Sequence, residues 1–225
     1  MKPDNSLTFF RRLKAETEAK WAQLAPNDPY ASIDPGTKWL PGLSEEELHA
    51  FEKEMGFPFP EPLRNFYRTM NGVDRPFIYT YEDGSTSEDN RFYSYPQDIG
   101  RIRSMIAWVY EDCGITPAIA KARGISRIFP IWGHRFMMID EPGHPVLSMY
   151  GNDIIFYGST LAALCKKDLG STHGMRQHGE PTVRFWYPGW QKNFKMPKRR
   201  RRVGVMTPWL RVMKKNVLLQ HRAMG

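Results

Sequence analysis

The chain has 225 residues, 41% hydrophobic, 13% aromatic and 25% charged, proportions that exclude wholesale disorder and leave room for one sizeable core with additions. Its net charge of +8 is unevenly placed: residues 1–169 carry 19 Lys and Arg against 23 Asp and Glu, a balance of −4, whereas residues 170–225 carry 13 against 1, a balance of +12. No apolar run is long enough to span a bilayer, residues 1–7 lack a secretory segment, and Cys113 and Cys165 form neither a metal-ligand spacing nor a disulfide framework, so a soluble cytoplasmic protein with two free thiols is expected.

Leu7, Phe10, Leu13, Trp21 and Leu24 predict an N-terminal helix, and Pro26, Pro29, Pro35 and Pro41 then predict an extended connection anchored by Trp39 and Leu40. Residues 1–39 are read as this helix and connection. The next stretch is the best specified in the chain. Ser44 and Glu47 form a capping box, Leu43 and Leu48 a hydrophobic staple, and Leu48, Phe51 and Met55 one helical face ending at Gly56. Pro62 opens a second helix whose stripe is Leu63, Phe66, Tyr67 and Met70, with Asn71-Gly72 expected to close it.

Residues 77–81 and 91–95 are aromatic and strand-like, which predicts a hairpin whose tip carries Glu82, Asp83, Glu88 and Asp89. Asp98 is positioned to cap a helix carrying Ile99, Ile102, Ile106 and Val109 and ending near Cys113-Gly114. Residues 128–139 and 146–157 read as the central strands of a sheet, and Ser159 or Thr160 caps a last helix through Leu161 and Leu164. The domain, residues 40–169, is expected to close near Gly170 as an α+β fold, helices packed on a mainly antiparallel sheet. Residues 170–225 form a basic, aromatic-rich extension holding Phe185, Trp186, Tyr187 and Trp190, the run Lys198, Arg199, Arg200, Arg201 and Arg202, and a helix opened by Pro208.

The order acidic helix, Gly-Phe-Pro-Phe-Pro at residues 56–60 and Pro-Leu-Arg-Asn-Phe-Tyr-Arg-Thr-Met-Asn-Gly at 62–72 resembles the SUKH superfamily, a fold shared by a fungal cell-wall regulator and many bacterial immunity proteins. A second block, residues 129–139, 145–149 and 153–157, resembles the later strands of that family in the same order. The resemblance covers residues 40–169. It implies a binding protein without a catalytic centre, and a cognate toxin domain as the partner.

The residues themselves offer no competing chemistry. There is no phosphate-binding Gly-rich loop, no His-Glu-x-x-His and no nucleophile elbow. His49 reads as a helix-surface residue, His134 as a turn residue and the cysteines as packing residues. His173 and His178 lack further ligands, and Asp140, Glu141 and Asp153 are carboxylates near turns. No catalytic residue, metal or cofactor is expected. The basic run with Trp186, Tyr187 and Trp190 has two functional readings: an electrostatic docking segment for an acidic protein surface, or a nucleic-acid contact in which cations meet phosphates and rings stack on bases. A solvated charged loop is the plain alternative. Glu82, Asp83, Glu88 and Asp89 are the second candidate contact, suited to a partner with a basic cleft. A regulatory scaffold like the fungal relative remains a third reading.

Overall fold

A computed structural model describes residues 4–24, 33–75, 92–169, 183, 185 and 186, with the backbone of residues 79–80 and 86–87. All of these fall in the unit Met1–Lys195; the second unit, Met196–Gly225, lies outside the described residues.

The helix pair forms as its caps dictate. In α2 (Glu45–Met55) the Ser44 hydroxyl accepts from the Glu47 amide at 3.2 Å while the Glu47 carboxylate accepts from the Ser44 amide at 2.8 Å, and Gly56 ends the helix at φ 79°. Each partner satisfies an amide that the helix start would otherwise leave orphaned. Ser44→Ala is therefore expected to lower stability by about 1 kcal/mol, read as a lower denaturant midpoint at unchanged slope. In α3 (Glu61–Thr69), Leu63, Phe66 and Tyr67 point inward and are fully buried.

Asn71-Gly72 does not close α3. Met70–Val73 is instead strand β2, antiparallel to β1 (Trp39–Pro41). The Asn71 side-chain amide explains the difference, because it donates to the Tyr95 carbonyl at 2.6 Å and accepts from the Tyr95 amide at 2.8 Å, holding the chain extended. Gly72 then turns at φ +82°, where a Cβ would meet the Ser94 Cβ at 2.9 Å.

The N-terminal helix α1 (Leu7–Trp21) shares this core. Phe10 meets Phe66 edge to face at 5.8 Å, Trp21 meets Trp39 at 5.3 Å, and the Trp39 indole donates to Thr17 Oγ1 at 2.8 Å. Asn5 ties the same segment to two other helices: its carbonyl accepts from Asn65 Nδ2 at 3.3 Å, and its Oδ1 accepts from the Ala162 amide at 2.8 Å.

The sequence-predicted hairpin is narrower than expected. β3 (Tyr79–Thr80) pairs with β4 (Thr86–Ser87), not with residues 91–95. Phe92 instead bridges Trp132, with rings stacked 5.4 Å apart, and the Tyr93 hydroxyl donates to the Gly133 carbonyl at 3.0 Å. These aromatics belong to the core, where Phe92 and Tyr93 are buried.

The main sheet runs β5 (Ile128–Trp132), β6 (Arg135–Met138), β7 (Val146–Tyr150), β8 (Asp153–Gly158), antiparallel throughout and in that order. Phe129 joins it to the α2–α3 corner through edge contacts with Phe51 at 5.8 Å, Phe59 at 5.2 Å and Tyr67 at 6.1 Å. Helix α4 (Ile99–Asp112) packs on β5 and buries Ile102, Met105 and Val109. Asp98 precedes it without capping it by its side chain: the carboxylate accepts from the Ser94 amide at 2.9 Å and hydroxyl at 2.8 Å, bracing the preceding turn.

Helix α5 (Pro117–Arg123), absent from the sequence reading, follows the same grammar as the others, with a Thr116 cap, Pro at its start and left-handed Gly124 at its end. Helix α6 (Leu161–Leu169) is capped by Thr160, whose hydroxyl accepts from the Ala163 amide at 3.1 Å. The α+β class and antiparallel sheet are as expected. The core does not stop at Gly170, because Val183 and Trp186 are buried in it.

Candidate partner-binding surface

Of the candidate contact residues, only Trp186 lies among the described residues; Tyr187, Trp190, Lys198, Arg199, Arg200, Arg201, Arg202, Glu82, Asp83, Glu88 and Asp89 lie outside them. Trp186 is a core residue and not a surface platform. Its relative exposure is 0%, its indole N–H donates to the Ser126 carbonyl at 3.0 Å, and its ring lies 5.9 Å from Tyr110 and 5.2 Å from Phe185. Satisfying the indole donor in the interior is what makes this burial tolerable.

Of the titratable groups weighed as possible chemistry, His173 and His178 lie outside the described residues, and the others form no metal-binding group. Burial, with a smaller contribution from Arg135, lowers the His134 pKa to about 3, so its ring is neutral near pH 7. Burial raises the Cys113 thiol to about 11 and pushes Cys165 up as well, which keeps both protonated and inert as nucleophiles. Among the described residues no group of three or more His, Cys, Asp and Glu is placed to hold a metal ion. No helix among them is long and apolar enough to cross a membrane.

Charge is organised in two places. On the α2–α3 corner, Glu45 meets Arg64 at 2.5 Å and Arg68 at 2.6 Å, Arg64 also meets Glu52 at 2.7 Å, and Arg68 meets Glu61 at 2.9 Å. Glu52 in turn accepts from the Phe59 amide at 2.8 Å. Every charge in this network has a partner, and the pairs link the two helices across the corner. Hydrogen bonding from Arg68, followed by Arg64, lowers the Glu45 pKa from 4.5 to about 2. A depressed folded-state pKa contributes stability above pH 4.5 that is lost as pH falls towards 2. The melting temperature is expected to drop through that window, and less steeply in Glu45→Gln.

The second place is where β6, β8 and α6 meet. Register aligns Arg135 with Ser148 and Ser148 with Ile155, so these three lie in one transverse row on the same face of the sheet. Arg135 donates from Nη1 to Ser148 Oγ at 2.9 Å and lays its guanidinium 4.1 Å over the Tyr157 ring. Tyr157 is available for this because β8 carries one extra residue there: Leu147 pairs with Phe156 and Val146 with Gly158. Lys167 of α6 sits 3.7 Å from the same ring, and the Tyr157 hydroxyl donates to Asp168 Oδ1 at 2.6 Å.

This cluster is incompletely satisfied. Arg135 Nε and Asp168 Oδ2 are buried without a hydrogen-bond partner. Burial raises the Asp168 pKa, lowers that of Lys167, and pushes the Tyr157 phenol up to about 12. Beside the cluster stands Ile155, 53% exposed, the one exposed large hydrophobic side chain among the described residues. The sequence reading placed it in the centre of a sheet; β8 is instead the last strand in the order, and Ile155 faces solvent.

An α+β scaffold with antiparallel sheets and a helix pair docked on the main one is consistent with the SUKH fold. The profile of the SMI1/KNR4 family (SUKH-1) matches residues 42–192, more than half of the chain, and the chain belongs to that family. The match extends past Leu169 through Val183 and Trp186, which are buried in the core. No curated protein matches the chain in sequence.

Proposed function

We propose that this chain is an immunity-type binding protein that neutralises a cognate bacterial toxin domain by stoichiometric protein–protein binding. The observation that carries the reading is the family match over residues 42–192. The surface supports it: binding proteins place apolar, aromatic and arginine side chains where a partner can desolvate them, and Ile155, Tyr157 and Arg135 are such a set. The run from Lys198 to Arg202, with Tyr187 and Trp190, is the proposed steering segment for an acidic toxin; Glu82, Asp83, Glu88 and Asp89 take that role if the toxin cleft is basic.

The test is to look for a toxin gene beside this one and to co-express the two. Cells should survive only when the chain is present, and the purified pair should elute as a complex of fixed stoichiometry. Unprotected cells and separately eluting proteins sink the proposal. A regulatory scaffold predicts neither a neighbouring toxin gene nor protection.

A second reading rests on the balance of 13 basic residues to 1 acidic over residues 170–225. Several phosphate contacts make affinity for nucleic acid fall steeply with salt, whereas a toxin complex with a desolvated centre keeps most of its affinity. Titrations with single- and double-stranded DNA across a salt series separate the two.

A further inference from the structure

We infer that the facet formed by β8 and α6, with Ile155 as its apolar centre and Arg135 and Lys167 beside it, docks an acidic surface of the protein partner. The inference rests on the immunity-type reading and assigns it an interface.

A single exposed apolar residue is ordinary on a protein surface, so Ile155 gains its meaning from its neighbours. Ile155 and Arg135 occupy one transverse row with Ser148 between them, and the arginine reaches across to Tyr157, two residues beyond Ile155 on β8. Two cations share that one ring, Arg135 at 4.1 Å and Lys167 at 3.7 Å. Each is attracted by the face of the ring, but they repel one another, and an incoming carboxylate would relieve that repulsion.

The carboxylate already nearby relieves it only in part, attracting both cations without pairing directly with either. Asp168 accepts the Tyr157 hydroxyl at Oδ1, its Oδ2 has no hydrogen-bond partner, and it forms no ion pair with either cation. Three other arginines of the described surface are placed differently. Arg64 and Arg68 are held by Glu45, Glu52 and Glu61, and Arg127 by Asp140. Arg135 donates to a neutral hydroxyl from Nη1 and keeps a buried, unpartnered Nε.

Lysines gather at the C-terminal end of α6, where they offset the negative pole of the helix. Lys166 and Lys167 lie in its last turn, and Lys20 of α1 donates to the Leu169 carbonyl at 3.4 Å. Counted against Asp153 on the same face of β8 and Asp168 of α6, the cations Arg135, Lys20, Lys166 and Lys167 leave the facet net positive on a region whose balance over residues 1–169 is −4, which favours an acidic partner. The chemistry that fits is a carboxylate for the exposed Lys167 ammonium, flanked by an apolar side chain for Ile155.

The experiment uses the full chain and a toxin domain against which it protects cells in the co-expression test. Ile155→Asp and Lys167→Glu are each expected to weaken the complex by about tenfold or more; Ile155→Asp should melt near the wild type because its side chain is exposed, and Lys167→Gln, which puts no second carboxylate beside Asp168, separates lost binding from lost stability. The Lys167→Glu loss should fall mainly on the association rate and shrink as salt is raised. Lys53→Glu, on the exposed side of α2, is the control and should bind as the wild type does. If Ile155→Asp and Lys167→Glu both bind within twofold of the wild type, the facet is not the interface, while the immunity reading stands. If the wild type itself forms no complex, that reading falls and takes the facet with it.

Discussion

Phe66→Ala is expected to destabilise the protein by about 3–5 kcal/mol, the range for removing a large aromatic from a core that cannot collapse around the gap. Phe66 is fully buried on the inner face of α3, with rings from separate segments around it: Phe10 of α1 at 5.8 Å, Trp39 of β1 at 6.2 Å, Phe92 at 6.1 Å and its helix neighbour Tyr67 at 5.3 Å. These walls are themselves pinned, Trp39 by its bond to Thr17 and Phe92 by stacking on Trp132. The cavity would therefore persist, and the upper part of the range applies.

Tyr67 gives the internal comparison. Its hydroxyl donates to the Tyr93 carbonyl at 3.1 Å, and burial pushes its phenol well above the ordinary range, so it stays a neutral donor. Tyr67→Phe removes only that bond and should cost about 1–2 kcal/mol. Denaturant midpoints of the two variants read this out. An unchanged midpoint in Phe66→Ala would show that the inner face of α3 has been misassigned.

What could be read from the sequence was what is encoded within a few residues. The Ser44–Glu47 box, the left-handed Gly56 and the Thr160 cap are short-range statements, and the structure contains all three. Helix α5 carried an equally local signal in Thr116, Pro117 and Gly124, but seven residues without a buried position show no hydrophobic stripe. The misreadings share a different cause. Asp98 looks like a cap until Ser94 supplies two donors to its carboxylate. Asn71-Gly72 looks like a helix end until Tyr95, far along the chain, pairs with the Asn71 amide.

The facet was illegible for the same reason. Ile155 sits in an apolar run that reads as central strand, and nothing local reveals that β8 is the last strand in the sheet order. Lys167 and Asp168 read as the polar side of a short helix, and only packing of α6 against β8 brings them to Tyr157. Cations in a sequence are also indistinguishable by composition: Arg64 and Arg135 differ in that carboxylates were placed around one and a tyrosine ring and a serine hydroxyl around the other.

Trp186→Ala is expected to cost about 3–5 kcal/mol, and ending the chain after Leu169 at least as much, because the truncation removes Val183 together with the indole. The sequence reading treats the aromatics after Gly170 as contact residues, which predicts weaker partner binding at unchanged stability. The structure makes the opposite demand of Trp186. Its ring is enclosed beside Tyr110, which burial pushes up to about 12, and its N–H is spent on the Ser126 carbonyl, 60 residues earlier in the chain. Trp186→Phe separates the two contributions: most of the apolar burial is kept, and the Ser126 carbonyl loses its donor, for an expected cost of about 1–3 kcal/mol. Midpoints falling in the order wild type, Trp186→Phe, Trp186→Ala place the indole in the core. Equal midpoints, with slower toxin association in Trp186→Ala, would return it to the surface.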